Sequence, residues 1–507
     1  MIKPKEVKIV PIDELKHKFI KAELIRILED SLNKTLGEID IKGDFERTIN
    51  NPKITGIAGD IIEHSILGYP SDQRQAPDIV VDGVETEVKT TGIRYSKTDA
   101  KNGKLVYEAK EPMSITAVSP DKIVHETFDD SNFWHKLRNM LIIYYHYNSY
   151  STVKAAEYAD FYLKGYEFHE FSEEDKLRLM GDWIIVQDFI KELQADYERP
   201  EEQYPRLSHE LRDKLVYIDT APKWPNPPRF RLKRNFVSKL VREHFGERLE
   251  QLPQSYNGYS DIDKKCHELT IENKGLNIYQ LLQKYGIPFE SKEKISKSVC
   301  EQIIIKMFGG NASSLNRIEM FNDFNIIGKS ITITESDSRT EDMKLFPIDF
   351  NEWCDLDTTF EDSMANDYFL NHQFLCIIFK ETKVRPTKEE FWQNIFVGFK
   401  RVAFDDIFIR DNVMPLWNDI RTLINENLLV ESVCYRKGTN EPIINPCGTI
   451  KTQLNFPKSK DNLIFVRGTG IDSTKKIHKV NGINMYQQYV WIKGKYIVDE
   501  LKKKKML

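Results

Sequence analysis

Residues 77–91 read PDIVVDGVETEVKTT, and this stretch decides the fold of the first half of the chain. Two β-rich runs flank the dipeptide Asp82-Gly83. This dipeptide favours a two-residue hairpin turn, because both turn positions take positive φ angles. Counting outward from such a turn places Asp78 opposite Glu87. The stretch therefore predicts a β-hairpin with two carboxylates opposed across its strands.

Opposed carboxylates indicate a cation at the hairpin. Like charges that face each other across a strand pair destabilise it by up to about 1 kcal/mol unless a cation lies between them, and Mg²⁺ binds carboxylate oxygens. Side chains alternate along a strand, so Glu85, Glu87 and Lys89 share the face of Asp78. Such an Asp…Glu-x-Lys set suits phosphodiester hydrolysis, with the metal activating water and the ammonium stabilising negative charge. The same pattern also fits an exposed, charged hairpin.

The length of the chain, 507 residues, predicts two folding units. We expect a division near residue 255, because QLPQSYNG (251–258) has the composition of a linker. The predicted order is an N-terminal helical extension, a catalytic domain, a linker and a second domain, at residues 1–30, 31–250, 251–261 and 262–507.

Membrane and disulfide-rich classes are not favoured by the sequence. No apolar run approaches the roughly 18 residues that a membrane helix needs, and the N-terminus lacks the apolar centre of a signal peptide. The six cysteines form no Cys-x-x-Cys pair. We therefore expect a cytoplasmic protein without membrane contact.

Hydrophobic spacing predicts a mixed α/β domain around the hairpin. Residues 57–68, 131–141, 174–193 and 235–245 have the period of helices, and residues 141–147 have the composition of a strand. A mixed sheet covered by helices is the expected architecture.

The sequence segments around the hairpin are more specific to one protein family than the hairpin itself. The segment GIAGDIIE (56–63), followed by Leu67-Gly68 and the hairpin, resembles the MutH and Sau-type (GATC-cleaving) endonuclease family. Three more segments resemble that family and follow in its order: SNFWHKL (131–137), EEDKLRLMGDW (173–183) and RLKRNF (231–236). The resemblance implies an α/β nuclease domain that uses Mg²⁺.

The resemblance also implies roles for individual residues. Asp78 and Glu87 correspond to metal ligands, and Glu63 to a further helix carboxylate near the metal. Lys89 corresponds to the catalytic lysine and Lys136 to a second active-site lysine. Glu63 and Lys136 also fit ordinary surface positions on their helices.

The hairpin departs from the family pattern in one respect. The family reads Gly-Val-Glu-Leu-Lys, whereas GVETEVK (83–89) carries two more residues before the lysine. Either Glu85 or Glu87 can therefore be the ligand. We favour Glu87, because it keeps the Glu-x-Lys step and faces Asp78; Glu85 then supports it or binds a second ion. His135 is expected to be structural.

A basic stretch marks the predicted DNA contact of this half. The formal charge of the chain is −5, but residues 220–242 contain no acidic side chain. Arg231 replaces a family tyrosine, so GATC specificity does not follow from the resemblance. Arg229 or Arg231 can reach guanine in the major groove or clamp phosphates. The predicted DNA-binding residues are Lys223, Arg229, Arg231, Lys233 and Arg234.

The second half reads as a degenerate copy of the first. SVCEQIIIKMFG (298–309) parallels the Glu63 helix, and DFNIIGKSITIT (323–334) parallels the hairpin. In this alignment the three glutamates and the lysine are replaced, in chain order, by Ile304, Ser330, Thr332 and Thr334. A site with one carboxylate and no lysine is not expected to use Mg²⁺.

This half is predicted to bind DNA instead of cutting it. LIFVRGTG (463–470) carries Arg467 where the first half has Asp219, and Lys475 and Lys476 follow. An active domain joined to an inactive MutH-like domain is the plan of Sau-type restriction enzymes, whereas MutH-type nickases lack the second domain. A purely structural role for the copy is the alternative.

Together these features predict a type II restriction endonuclease with two tandem MutH-like α/β domains, the second degenerate. It would hydrolyse double-stranded DNA with Mg²⁺, as a monomer that is able to dimerise on DNA. Two alternatives remain open: a MutH-like strand-nicking repair endonuclease, and a DNA-binding regulator that does not cut.

Overall fold

The chain divides into two compact units in a computed structural model, Met1–Arg248 and Leu249–Leu507. The structure describes residues 17–52, 54–69, 76–96, 104–149, 153–223, 226–334, 341–356, 358–361, 363–383, 387–446, 448–470, 476 and 478–507. The division between the units lies just ahead of the segment 251–261 that the sequence marks as a linker. Residues 1–16 of the expected N-terminal extension lie outside the described part of the chain.

The first unit alternates helices and strands. Its strands are β1 (Lys18–Phe19), β2 (Ile79–Val81), β3 (Val84–Tyr95), β4 (Tyr107–Ala109), β5 (Met113–Ala117), β6 (Met140–His146), β7 (Tyr162–His169), β8 (Ile218–Lys223) and β9 (Asn226–Leu232). Its α-helices are α1 (Lys21–Ser31), α2 (Leu36–Ile39), α3 (Arg47–Asn50), α4 (Ile57–Ile61), α5 (Pro120–Ile123), α6 (Asn132–Leu137), α7 (Glu173–Asp196), α8 (Leu207–Glu210) and α9 (Arg234–His244). Helix α4 continues as a π-helix, Ile62–Leu67, and 3₁₀ turns lie at Asp44–Glu46, Ala155–Asp160, Pro200–Glu202 and Tyr204–Arg206.

Two sheets organise the first unit. The larger has the order β1-β2-β3-β6-β7, with β4 paired to β3 outside this path; β6 runs parallel to β3, and β7 antiparallel to β6. The smaller is antiparallel, in the order β5-β9-β8. Every residue of β6 except the last is buried, which explains why its sequence is a continuous apolar run rather than an alternating one. One core cluster, which includes Leu28, Ile61, Val88 and Leu141, joins the first helices to the larger sheet.

The second unit contains ten strands and nine α-helices in its described part. The strands are β10 (Ile326–Ile333), β11 (Met343–Pro347), β12 (Gln373–Lys380), β13 (Ile395–Val402), β14 (Glu431–Val433), β15 (Thr452–Leu454), β16 (Ile464–Gly468), β17 (His478–Val480), β18 (Ile483–Met485) and β19 (Gln488–Ile492). The helices are α10 (Tyr259–Asn273), α11 (Ile278–Lys284), α12 (Val299–Met307), α13 (Glu319–Asp323), α14 (Phe350–Trp353), α15 (Met364–Asn371), α16 (Asp406–Phe408), α17 (Met414–Asn425) and α18 (Gly494–Lys503). A π-helix, Ile409–Val413, joins α16 to α17, and 3₁₀ turns lie at Lys292–Lys294, Leu315–Arg317 and Lys388–Gln393.

Two of the four sheets in the described part of the second unit repeat strand arrangements of the first. Strand β12 runs parallel to β10 and antiparallel to β13, as β6 does to β3 and β7. The antiparallel sheet β11-β19-β16 repeats β5-β9-β8. In each unit two helices lie between the first strand of the smaller sheet and the central strand, α5 and α6 before β6, and α14 and α15 before β12. The predicted α/β class with two tandem domains of one fold is confirmed.

The register of the repeat differs from the one expected from sequence. Ile93 is the last residue of the parallel ladder between β3 and β6, and Ile333 is the last of the ladder between β10 and β12. Lys89 lies four residues before Ile93, and Lys329 lies four residues before Ile333. The counterpart of Lys89 is therefore Lys329, and the expectation of Thr334 at that position is wrong.

The same alignment of the two ladders also changes which residues of the second unit correspond to Glu87 and Asp78. Ile327, rather than Thr332, takes the place of Glu87. Asp323 ends helix α13 and is fully buried, so it does not begin a hairpin strand as Asp78 was expected to do. Asp323 and Gly328 are five residues apart, as Asp78 and Gly83 are. This shared spacing was misleading, because it placed a helix end on a strand.

The smaller sheets also align in a shifted register. Asp219 pairs with Arg231 in the first unit, one residue beyond the pair formed by Ile218. In the second unit the pair one residue beyond Ile464 is Phe465 with Trp491. Phe465 therefore occupies the position of Asp219, and Arg467 lies two residues further along the same strand face.

None of the helices in the described part of the chain has the length and apolar character required to span a bilayer.

Candidate active site

The hairpin of β2 and β3 forms in the register that the sequence predicts. Val81 pairs with Val84, and Val80 pairs with Glu85. The two loop residues, Asp82 and Gly83, have φ angles of 47° and 88°, the left-handed values that this turn requires. The hairpin carries the predicted site residues on adjacent strands of the larger sheet.

Glu87 is the buried centre of the site, with only 1 % of its surface exposed. Its Oε1 accepts a hydrogen bond from Lys89 Nζ at 2.6 Å, and both carboxylate oxygens accept from Lys136 Nζ at 3.0 Å. Burying a charge without partners is very costly, so these two ammonium groups stabilise the ionised carboxylate. The structure thus brings together Glu87, Lys89 and Lys136, from β3 and from helix α6.

Asp78 lies next to this group at the start of the hairpin. One of its carboxylate oxygens accepts a hydrogen bond from the backbone N–H of Val88 at 2.9 Å, and its carbonyl oxygen lies 2.8 Å from His17 Nδ1. Burial and the negative charge of Glu87 raise the pKa of Asp78, although Lys89 and Lys136 act in the opposite direction. The two carboxylates therefore repel each other, and a cation bound between them would relieve this repulsion.

Glu63 occupies the π-helix that continues α4, where its side chain is half-buried. The α-helical start of this element contacts β3, and Ile61 and Ile62 belong to the core beneath the sheet. Glu63 thus lies on an element that packs against the site strand. Its role as a further metal-site carboxylate remains a prediction.

Comparison with known proteins agrees with this site. A family model described as DNA mismatch repair enzyme MutH matches residues 67–179, which contain the hairpin, helix α6 and β6. The type II restriction enzyme Sau3AI of Staphylococcus aureus is 22 % identical over 511 aligned positions, covering 87 % of this chain and 91 % of that enzyme. The chain is similar to the MutH family within residues 67–179 and to a Sau-type restriction enzyme over most of its length. The resemblance read from the sequence is confirmed, and it extends over both units rather than over the MutH-like segment alone.

In the MutH-like unit, the side chains of Glu85 and Glu87 contact different residues. Its carboxylate is 46 % exposed and lies 2.6 Å from His135 Nε2 and 3.0 Å from Arg138 Nη2. These contacts lower the pKa of Glu85, with the hydrogen bond to His135 as the main cause. The exposed glutamate is thus held by helix α6 and the residue that follows it, while the buried glutamate contacts the two lysines.

Sequence reasoning missed the part played by His135 and Arg138. His135 was expected to be structural without a named partner, and the structure shows that it contacts Glu85, two residues before Glu87. The signal was present in the sequence, because positions 135 and 138 are three apart and therefore share a helix face. Helix α6 and its C-terminal end present three basic side chains to strand β3, two to Glu85 and one to Glu87.

The donor set of the MutH-like unit suits Mg²⁺. Asp78 and Glu87 offer hard oxygen ligands, and Mg²⁺ sites commonly use one or two carboxylates together with water and substrate phosphate. Within the described residues, no group of three or more histidine, cysteine, aspartate or glutamate side chains is assembled as a metal site. The fit therefore rests on these two carboxylates and on the raised pKa of Asp78, which burial and then the negative charge of Glu87 produce.

Two of the predicted DNA-binding residues have structural partners instead. Lys233 is 5 % exposed and donates to the carbonyl of Leu215 from inside the unit, so the prediction that it contacts DNA is wrong. Burial lowers the pKa of Lys233. Arg234 donates to the carbonyl of Ala109 and to Glu108, at 2.9 and 2.7 Å, which makes it an anchor between α9 and β4.

The remaining predicted contacts of this unit lie on the smaller sheet. Arg229 is exposed on β9, and Arg231 is half-buried and paired with Asp219. Lys223 ends β8, and its side chain lies outside the described part of the structure. A DNA-binding role for Arg229 and Arg231 remains a prediction.

In the second unit, the predicted DNA-binding side chains also have protein partners. Arg467 donates to Asp342 at 2.9 Å and stacks on Phe465 and Trp491, with 4.9 Å between its guanidinium carbon and each ring centre. Lys476 donates to Glu431 at 2.6 Å. Lys475 lies outside the described residues. A DNA-binding role for these residues remains a prediction.

Proposed function

We propose that the chain is a type II restriction endonuclease that uses Mg²⁺ to hydrolyse double-stranded DNA at a short recognition sequence, with its cutting centre in the first unit. The observation that carries this proposal is the buried Glu87, which contacts two lysines and lies beside Asp78. The relationship to a type II restriction enzyme over most of the chain supports the reaction class.

Asp78 and Glu87 would hold the metal, which when bound polarises the phosphate and activates water. Glu63 is the candidate for a third carboxylate near the ion. Lys89 and Lys136 have different electrostatic roles, which follow from their different burial. Hydrolysis joins a water oxygen to phosphorus, breaks one phosphorus–ester oxygen bond and leaves a proton on the departing oxygen.

Lys89 is the lysine suited to meet the substrate. Its side chain is 19 % exposed, compared with 10 % for Lys136, and it bonds only one of the two Glu87 oxygens. Its ammonium group is therefore able to orient the attacking water or to stabilise negative charge that develops on the phosphate. Lys136 bonds both oxygens and fixes the carboxylate in place.

The second unit distinguishes this proposal from a strand-nicking repair enzyme. The relative that aligns with 87 % of the chain is a restriction enzyme, whereas the MutH model matches a segment of the first unit. We infer that the second unit assists DNA binding, and that two chains come together on DNA when both strands are cut.

Supercoiled plasmid incubated with the full chain and Mg²⁺ tests the proposal. Restriction predicts linear DNA and then discrete fragments, and chelation of the metal should stop the reaction. Nicked circles as the final product would favour a repair endonuclease. Intact plasmid together with sequence-specific binding would favour a regulator that does not cut.

A further inference from the structure

The outer face of the smaller sheet in the first unit presents two arginines among small side chains. Along β9, Phe230 and Leu232 are buried, whereas Arg229 and Arg231 point to the other side. The residues paired with these arginines on β5 are Ala117 and Ser114, both exposed. Because the side chains of Ala117 and Ser114 are short, they leave the two guanidinium groups accessible to a large binding partner.

Arg231 is held in a fixed orientation by Asp219 from the next strand. Its Nε and Nη2 donate to the two carboxylate oxygens at 2.7 and 3.0 Å, a two-bond contact between directly paired residues. A planar guanidinium held in this way loses little further freedom on binding. The outer edge, formed by Nη1 and the second hydrogen of Nη2, faces away from the carboxylate.

The Arg231–Asp219 pair favours contact with a base edge of DNA over contact with a phosphate. Asp219 neutralises Arg231, and its carboxylate repels any phosphate that approaches the same edge. A base edge is uncharged, so it does not meet this repulsion. Guanine offers two acceptors, N7 and O6, in the major groove, and paired N–H groups of arginine match them.

We propose that Arg231, oriented by Asp219, reads a guanine in the major groove of the recognition sequence. The inference rests on the proposed function for its substrate, duplex DNA. Arg229 lies on the same face and is exposed. Because it has no directly paired carboxylate in the ladder, where it faces Ala117 and Ala221, it contacts the phosphate backbone.

Sequencing of DNA ends tests this assignment on the full chain. Wild type, Arg231→Lys, Asp219→Asn and the matched control Arg229→Ala are each given a library of random duplexes with Mg²⁺. The wild-type motif should contain an invariant guanine. Arg231→Lys should reduce discrimination at that position by about 10- to 100-fold, and Asp219→Asn should weaken it in the same direction.

The control should behave differently. Arg229→Ala should lower cutting of all sites to a similar extent and reduce the salt dependence of binding, with the motif unchanged. If an Arg231 variant cuts too weakly for sequencing, selection of bound duplexes from the same library measures its guanine preference directly. Circular dichroism confirms that each variant is folded.

The results separate this inference from the proposed function. Wild-type cutting with a motif that Arg231→Lys leaves unchanged overturns the guanine assignment and leaves the nuclease standing. If the protein selects guanine through Arg231 but the wild type does not cut, the guanine assignment is supported and the proposed nuclease function is overturned. A wild type that neither cuts nor selects a sequence overturns both.

Discussion

The two units share one topology but differ at the position where the chemistry is expected. Lys89 and Lys329 occupy the same place on equivalent parallel strands, four residues before the end of each ladder. Lys89 donates to the buried Glu87, whereas the position of Glu87 is taken by Ile327 in the second unit. The fold therefore does not require the carboxylate, and its presence in one unit points to function rather than to stability.

The partners of the two lysines show what the carboxylate contributes. Lys329 donates to the carbonyl oxygen of Lys344 at 3.0 Å, and burial lowers its pKa to about 8. Lys89 has a full negative charge within 2.6 Å. Burial without a carboxylate partner favours loss of the lysine proton, and a lysine that must stabilise phosphate charge needs to keep it.

The largest expected effect on the cleavage rate comes from replacing one of the two hairpin glutamates, so each is replaced separately. Glu87→Gln should lower the cleavage rate more than about 1000-fold, because it removes a metal ligand and leaves Lys89 and Lys136 without their counter-charge. Glu85→Gln should lower it less than about 10-fold, because its carboxylate contacts His135 and Arg138 instead. Single-turnover cleavage of a plasmid measures both.

Binding provides the control for this pair. Glu87→Gln should still bind duplex DNA, which fluorescence anisotropy with a labelled fragment detects, and its melting curve shows whether it is folded. A larger loss of cutting in Glu85→Gln than in Glu87→Gln would reverse the assignment of the ligand.

Lys136→Met should have a smaller effect than Glu87→Gln. Lys136 bonds both oxygens of Glu87 and supports the ligand, and partners of this kind are worth about 10- to 100-fold in activity. Raising the Mg²⁺ concentration should restore part of the rate, because the added cation replaces the lost charge. Wild-type activity in a folded Lys136→Met protein would show that this lysine is not part of the site.

The pH dependence of cutting should reflect Asp78. Burial and Glu87 raise its pKa, so it takes up a proton at a higher pH than an ordinary aspartate and then no longer binds metal. We expect kcat/KM to fall as the pH decreases, with a midpoint above the pKa of an ordinary aspartate. Lys136→Met should move this midpoint upward, since Lys136 lowers the pKa of Asp78. A midpoint that moves downward would contradict the proximity of these charges.

The smallest effect concerns the stability of the second unit. Because the pKa of folded Lys329 is about 8 and that of an unfolded lysine is about 10.4, the unfolded state binds more protons between these values. The free energy of unfolding should therefore rise with pH over this interval, by at most about 1.4 kcal/mol per pH unit. Urea unfolding should show the rise in wild type and its loss in Lys329→Met; an identical slope in both would contradict the lowered pKa.

Several features of the fold and site were predictable because they follow from local geometry. The hairpin register could be counted from Asp82-Gly83, since strand side chains alternate and this turn fixes the loop length. Helix α6 was expected within residues 131–141, and the structure brings its Lys136 to the predicted ligand Glu87. These contacts follow from the turn and from a short helix ahead of a buried strand.

Other features depend on tertiary packing that a sequence pattern does not contain. Lys233 and Arg234 lie in a basic segment that looked exposed, yet both side chains are directed to carbonyl groups inside the unit. The register of the second unit was misjudged, because residues 323–334 contain no glutamate and offered only the spacing of one aspartate and one glycine to align. Strand pairing was needed to show that Lys329 is the counterpart of Lys89.

The most direct test of the central claim compares these two lysines. Lys89→Met and Lys329→Met are the same substitution at equivalent positions of the two units, and plasmid cleavage with Mg²⁺ is measured for each under single-turnover conditions. The account predicts that Lys89→Met loses about 100- to 1000-fold in rate while Lys329→Met cuts like wild type. Undiminished cutting by folded Lys89→Met, or an equal loss in both variants, would contradict the placement of the cutting centre in the first unit.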